Sequence, residues 1–310
     1  MNLYISGIGA VNAGLPFKNE NLSGGESQEF SVIRCVEPDY KKYIDPKFSR
    51  RLSRIIKMGL YAARMALSDA DISVPDGIIT GTSLGCLVDT GKFLRSMIEE
   101  NESLSSPSAF IQSTHNSISS QIAIAVSCNG YNSTYTNRGF SFESALIDAV
   151  LQIEENSNAG FLVGASDEIT DEFLDILQNP GFAEYSGYNY GNNFKQLFSF
   201  GEGAAYFYLT GEKTAGSCCR ITSVKTFFTP DGPDDPVKKL NDAAVIHGVD
   251  LHDVDLVLFG GSDPDDASAI SKRFSGAGVA MYKKYCGEYL TSVSYALWLS
   301  CIIFRNGIDK

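Results

Sequence analysis

The chain has 310 residues, 44% of them hydrophobic and 20% charged, with a net charge of -12. That length can bury a substantial core as one large domain or two fused halves, and the acidic balance argues against nucleic acid as the main partner. The longest apolar run, Tyr295–Phe304, is too short to cross a bilayer and the opening MNLYISGIGAV carries no basic segment, so a cytoplasmic protein without a membrane partner is expected.

Leu3–Val11 reads as a short buried strand, followed by mixed sequence with a short strand near Ser31–Val36. From Ser49 to Ala70, the residues Leu52, Ile55, Ile56, Leu60, Ala63 and Leu67 form one apolar stripe, the mark of an amphipathic helix. Gly77–Gly85 (GIITGTSLG) is a buried strand entering a glycine turn, and Asp89–Asn101 a second helix. Ser105–Ala125 holds a Pro-led loop and then a helix of small residues. Tyr131–Val150 runs from a Thr- and Tyr-rich strand into a helix at Phe142, Ala145, Leu146, Ala149 and Val150. Between the two lies the corner Arg138-Gly139, with no room for a conventional loop.

Ala159–Ala165 is an all-apolar strand, Asp171–Gln178 a short helix, Asn179–Lys195 a Gly-, Asn- and Tyr-rich surface loop, and Phe200–Leu209 a strand after tight glycines. A second pass gives a strand over Arg220–Phe228, a helix over Pro236–His247, a strand over Asp255–Gly261 and helices over Asp265–Phe274 and Tyr289–Phe304. Alternating strands and helices imply a parallel or mixed sheet covered on both faces. The two similar passes point to an internal duplication, with halves at residues 1–212 and 213–310.

A strand-to-helix corner suits a nucleophile, because the first helix amides are unpaired and partly positive. The residues around this corner resemble the β-ketoacyl-(acyl carrier protein) synthases, condensing enzymes of the thiolase fold. MNLYISGIGAVN resembles the family's opening strand, SRRLSRIIKMGLYAARMALSDADI its first amphipathic helix, and GIITGTSLG its second strand and turn. GEGAA, DVDLVLFGGSDPDD and KKYCGEY follow in the family's order, and Asn116 stands where the family has an Asn before a small-residue helix. The resemblance implies an α/β, thiolase-like fold of two βαβ-type halves with mixed sheets covered by helices. The C-terminal half looks abbreviated, since the family's Gly-Phe-Gly gating loop has no counterpart before Lys310.

The family pattern T-A-C-x-S-G-x-x-A, aligned on Ser141 and Ala145, puts Gly139 at the reactive Cys. The later motifs put Gly260 and Glu288 at the two His positions and retain the family's Lys at Lys283. A thiolate and two donors are what condensation needs, so the resemblance implies an inactive, chain-length-factor-like member. Gly139 would then either permit a turn that a larger residue would strain or leave an acyl tunnel open. Gly139, Phe140, Phe198 and Glu288 are the acyl-pocket candidates, and the strand Asn132, Ser133, Thr134, Tyr135, Thr136 is the expected dimer interface. The implied partners are an active ketoacyl synthase subunit or a second copy, within fatty-acid, polyketide or aryl-polyene-type biosynthesis.

The alternative is a divergent acyltransferase or condensing enzyme using Cys86 or Glu288. Cys86 follows GTSLG at a helix start, where its pKa would be depressed; burial as a small hydrophobe is the competing expectation for Cys86 and Cys128. His115, His247 and His252 fit surface or capping roles. The seven cysteines lack metal-ligand spacing, and adjacent Cys218 and Cys219 suit neither a zinc knuckle nor a disulfide framework. Reduced thiols, no metal and no cofactor are expected. Finally, Lys41, Lys42, Lys47, Arg50, Arg51, Arg54 and Lys57 cluster within a short stretch. They form either a solvated helix face or a dock for an acidic acyl carrier protein, with Arg50, Arg51, Arg54 and Lys57 as its core.

Overall fold

The computed structural model describes residues 3–14, 32–102, 107–178, 199–227, 242, 244–246, 248, 250–261, 264–274 and 276–307. Six strands form the main sheet: β1 (Leu3–Val11), β3 (Gly77–Gly81), β4 (Tyr131–Tyr135), β5 (Gly160–Asp167), β7 (Gly203–Thr210) and β8 (Cys219–Ile221). Their order is β4-β3-β5-β7-β1-β8. β3 runs parallel to both β4 and β5, whereas β7 is antiparallel to β5 and β1, so the sheet is mixed. Every residue of β3 and of β5 is buried, as near-continuous apolar strands covered on both faces must be.

One face carries α2 (Arg54–Asp69) and α5 (Ser117–Val126). Ile55, Ile56, Leu60, Ala63 and Ala66 of α2 pack there with Ile118, Ile78 and Tyr206. The opposite face carries α6 (Ser141–Glu155) and a C-terminal helix over Val293–Asn306. Phe142, Ala145 and Ala149 of α6 bury against Ile79, Val163 and Phe207, with Cys301 of the C-terminal helix in the same cluster. Each large apolar side chain buried this way contributes roughly 1.5–3 kcal/mol, so the two cores hold the layers together.

Several elements differ from the sequence expectation. The helix expected over residues 49–70 is two helices, α1 (Pro46–Ser49) and α2. Asp45 caps the first through the amides of Lys47 and Phe48, and Ser53 enters the second in extended conformation. The strand expected over Arg220–Phe228 stops at Ile221, because that residue pairs with Leu3 and the register then runs past the start of β1. The short strand near Ser31–Val36 is β2 (Val32–Ile33), paired with β6 (Phe200–Gly201). The second helix is α3 (Leu87–Glu99), and the Pro-led stretch before α5 is helical as α4 (Pro107–Ser113). α7 (Asp171–Gln178) matches its expected bounds. The loop expected over Asn179–Lys195 and most of the helix over Pro236–His247 lie outside the described residues.

In the C-terminal part, β9 (Leu256–Phe259) pairs in parallel with β10 (Gly278–Met281). Helix α8 (Pro264–Arg273) connects them, and α9 (Lys283–Cys286) precedes α10 (Val293–Asn306). β10 and α9 have only four residues each, too few for periodicity to reveal. Among the described residues, no helix is long and apolar enough to cross a membrane.

Candidate functional site: the strand–helix corner and the Lys283–Glu288 pair

β4 leads through Thr136 and Asn137 into a tight 3-10 turn, Arg138–Phe140, and then into α6. The Ser83 and Ser141 hydroxyls both donate to the Arg138 carbonyl, the latter at 2.7 Å, and pin the corner to the turn after β3. β3 and α6 come together so closely that a Cβ on Gly81 would stand 2.7 Å from the Ser141 backbone. The left-handed residue of the corner is Arg138, at φ 49°, and not Gly139. Among the described residues, a Cβ at Gly139 would meet nothing nearer than Leu290 Cδ2 at 4.0 Å. Relief of backbone strain therefore does not account for Gly139, which corrects one of the two roles expected of it. Neighbouring Phe140 is 48% exposed.

Asp167, at the end of β5 and 2% exposed, holds the surroundings in place. Its Oδ1 accepts from Thr82 Oγ1 (3.0 Å), Ser83 N (2.9 Å) and Leu84 N (3.2 Å), and its Oδ2 from Thr291 Oγ1 (2.7 Å). One carboxyl thus ties the glycine turn to the segment carrying Glu288 and Leu290. Burial raises its pKa against the opposing pull of those four donors.

Beside the corner, Lys283 Nζ stands 2.5 Å from Glu288 Oε2, each side chain only 15% exposed. Burial raises the Glu288 pKa and the Lys283 charge works against it. A second carboxyl, Glu143 on the first turn of α6, is also raised by burial, with Lys283 again lowering it, and its Oε2 is buried without a hydrogen-bond partner among the described residues. The Lys283 charge therefore acts on two carboxyls, one of them paired with it. Glu143 went unnoticed in the sequence, since an acidic residue in a first turn ordinarily reads as a helix-dipole partner.

Gly260 follows β9, and the space a side chain would take there is filled by Tyr282, whose hydroxyl would lie 2.6 Å from an added Cβ. Tyr282 is itself 3% exposed, with its hydroxyl 3.4 Å from Ser292 Oγ. Glu288 and Leu290 line a cleft with Asp167, Glu168 and the apolar side chains of Leu84, Ile169, Phe173, Leu177 and Phe200. Phe198, the remaining pocket candidate, lies outside the described residues.

The alternative nucleophile does not have the environment expected of it. Cys86 is fully buried at the start of α3, and burial, then the negative charges of Asp89 and Glu168, push its pKa up. Burial also raises the thiols of Cys35 and Cys286. His115 and His252 are exposed. His247 lies outside the described residues. Cys128 is buried with its thiol on the Pro75 carbonyl at 3.3 Å. Cys218 and Cys219, unpartnered by spacing, lie with Cys301 so that their sulfurs are all within 4.8 Å of one another.

Arg54 is not a free member of the basic patch, which corrects the docking reading for that residue. Its guanidinium donates to both oxygens of Glu202 at 2.7 Å and to Glu37 at 2.6 Å. Glu202, the acid of GEGAA, is fully buried and also accepts from the amides of Cys35 and Ile169. Burial pushes the Glu202 carboxyl up, but the hydrogen bonds and charge of Arg54 outweigh it and hold the pKa below the usual value. Arg50 and Arg51 are exposed and Lys57 is half-buried. β4 forms one edge of the main sheet, with Asn132 held to Ser119 of α5 through Ser119 Oγ at 2.7 Å.

No curated protein matches the chain. Among solved structures, it superposes on a type II polyketide acyl-carrier protein in complex with its ketosynthase bound to the hexaketide (AntDE:AntF), with TM-score 0.78, 17% identity and coverage of 99% of this chain and 92% of that one. The ishigamide ketosynthase/chain length factor gives TM-score 0.74, 18% identity and coverage of 100% and 93%. A β-ketoacyl synthase from Burkholderia phymatum STM815 gives 0.70, 17% identity and coverage of 98% and 86%. At such identities the likeness establishes the thiolase-like ketosynthase fold. The family model for the β-ketoacyl synthase N-terminal domain matches residues 31–190, just over half of the chain, and the protein therefore belongs to the β-ketoacyl synthase family.

Proposed function

We propose that the protein is a non-catalytic member of its family, a chain-length-factor-like partner of an active condensing enzyme. The observation that carries this reading is the corner itself. Motif resemblance puts the tight turn Arg138–Phe140 at the family's thiol, and the carboxylate that binds the Lys283 ammonium at one of its imidazoles. An ionised carboxylate accepts hydrogen bonds but donates none, and its charge opposes a developing enolate.

In this reading the edge strand Asn132–Thr136 pairs with an active ketosynthase or a second copy, and Gly139 leaves room for an acyl chain extending from the partner's site. Phe140, exposed at the same corner, borders that chain. The exposed Arg50 and Arg51, with Lys57, attract an acidic acyl carrier protein, and the work is cytoplasmic assembly of fatty-acid, polyketide or aryl-polyene-type chains. The solved relatives support it: one is described as a ketosynthase/chain length factor and another as a ketosynthase in complex with its acyl-carrier protein. The two-half organisation proposed for the chain divides it into residues 1–212 and 213–310.

The test is acylation together with partner capture. The purified chain is incubated with an acyl thioester and with a thiol-reactive condensing-enzyme inhibitor, and its mass is measured. Co-expression with an active ketosynthase then asks for a complex. No acyl adduct together with a stoichiometric complex is the expected result; a single acylated cysteine in the isolated chain overturns the reading.

A further inference from the structure

The chemistry of the family leaves one cluster unused, on the far side of the sheet from α2. Cys218 and Cys219 lie at the start of β8, and the fully buried Cys301 projects from α10. Cys219 Sγ is 3.2 Å from Cys301 Sγ and 4.0 Å from Cys218 Sγ, and all three sulfurs fall within 4.8 Å of one another. β8 is pinned to β1 by the Cys218 amide on the Ile5 carbonyl at 2.8 Å, and α10 packs on the same sheet, so both elements that bring the sulfurs together are rigid.

We propose that these three cysteines bind a thiophilic d10 cation, Zn2+ or Cu+. Zinc–thiolate bonds of about 2.3 Å place tetrahedral sulfurs about 3.8 Å apart, close to the spacings already present, and soft thiolates select these two ions over harder ones. Cys218 and Cys219 are half-buried whereas Cys301 is enclosed, which gives the ion an entry side and leaves a fourth position for water. The Arg305 guanidinium, held at 2.5 Å by Asp69, neighbours Cys218 and offsets the excess negative charge of three thiolates. On binding, each coordinating thiol releases its proton to solvent and no electron is transferred. A disulfide would use only two of the three sulfurs.

The experiment titrates the full chain, reduced and washed with chelator, with Zn2+ alone and, anaerobically, with Cu+ alone against a chromophoric competitor. One equivalent of either ion should bind, identifying which cation the site takes. Affinity should fall roughly tenfold or more in Cys218→Ser and in Cys219→Ser and remain unchanged in Cys128→Ser. Circular dichroism of the half-buried Cys218→Ser variant separates lost ligation from lost folding. Binding of neither ion overturns the proposal, as does binding that the Cys218 and Cys219 substitutions leave intact, or a Cys219–Cys301 disulfide that forms equally with Zn2+ present.

Discussion

Lys283 and Glu288, five residues apart, close a buried ion pair at 2.5 Å across the short helix α9 and the glycine that ends it. The Lys283 charge also lowers the pKa of Glu143 on the first turn of α6. Removing one partner of a buried pair leaves an uncompensated charge and costs about 3–5 kcal/mol. Lys283→Met should therefore destabilise the protein by about 3 kcal/mol at pH 8 in urea unfolding. Both carboxyls already have raised pKa values and lose the charge that lowered them. They are then stable only as neutral acids, so the deficit should shrink at pH 5.

Glu168 supplies a pH dependence with a definite sign. Burial raises its pKa to about 7, with the Val88 amide at 3.1 Å pulling the other way and Asp89 adding to the rise. Because the folded pKa lies above the unfolded one, its contribution is unpenalised below the ordinary carboxylate range and worsens as pH rises towards about 7. The difference amounts to as much as ~3 kcal/mol. Glu168→Gln keeps an acceptor for Val88 but cannot ionise. Its stability relative to wild type should therefore improve between pH 4.5 and 7.5, as followed by thermal melting across that range.

Glycine at two neighbouring positions should respond in opposite ways. Gly81→Ala forces a Cβ to within 2.7 Å of the Ser141 backbone, and overpacking of that kind costs about 1–3 kcal/mol. Among the described residues Gly139→Cys meets only Leu290 at 4.0 Å, and it should fold with wild-type stability. It should also become alkylated more readily than any native buried thiol, without acquiring condensing activity. Denaturant unfolding and alkylation mass spectrometry check both halves.

Among the basic residues, position decides the outcome. Arg54→Gln leaves Glu202 buried with one guanidinium fewer and should cost about 3 kcal/mol in denaturant unfolding. Arg50→Glu with Arg51→Glu should leave stability within about 0.5 kcal/mol. The double variant should weaken acyl carrier protein binding, and the loss should shrink as ionic strength rises. Titration by calorimetry at two salt concentrations measures it.

Much of the architecture was legible along the chain. The apolar stripe of α2, the all-buried run of β5 and the Thr- and Tyr-rich β4 each carry their period within a few residues, so their existence needed no partner. Boundaries were less legible. The break between α1 and α2 rests on the Asp45 cap, and the end of β8 on where β1 begins.

The sequence by itself determined most of the longer strands and helices, the kinship carried by the motifs around Gly139, and the lack of a thiol at that corner. Those are properties of residues near one another in the chain. Only the tertiary structure decided that Arg138 and not Gly139 takes the left-handed backbone, that Arg54 belongs to Glu202, that burial raises Cys86, and that Cys301 joins Cys218 and Cys219. Each of these depends on groups brought together from distant positions. Burial and distance act on charge and sulfur through space, and no local pattern records which side chains will share it.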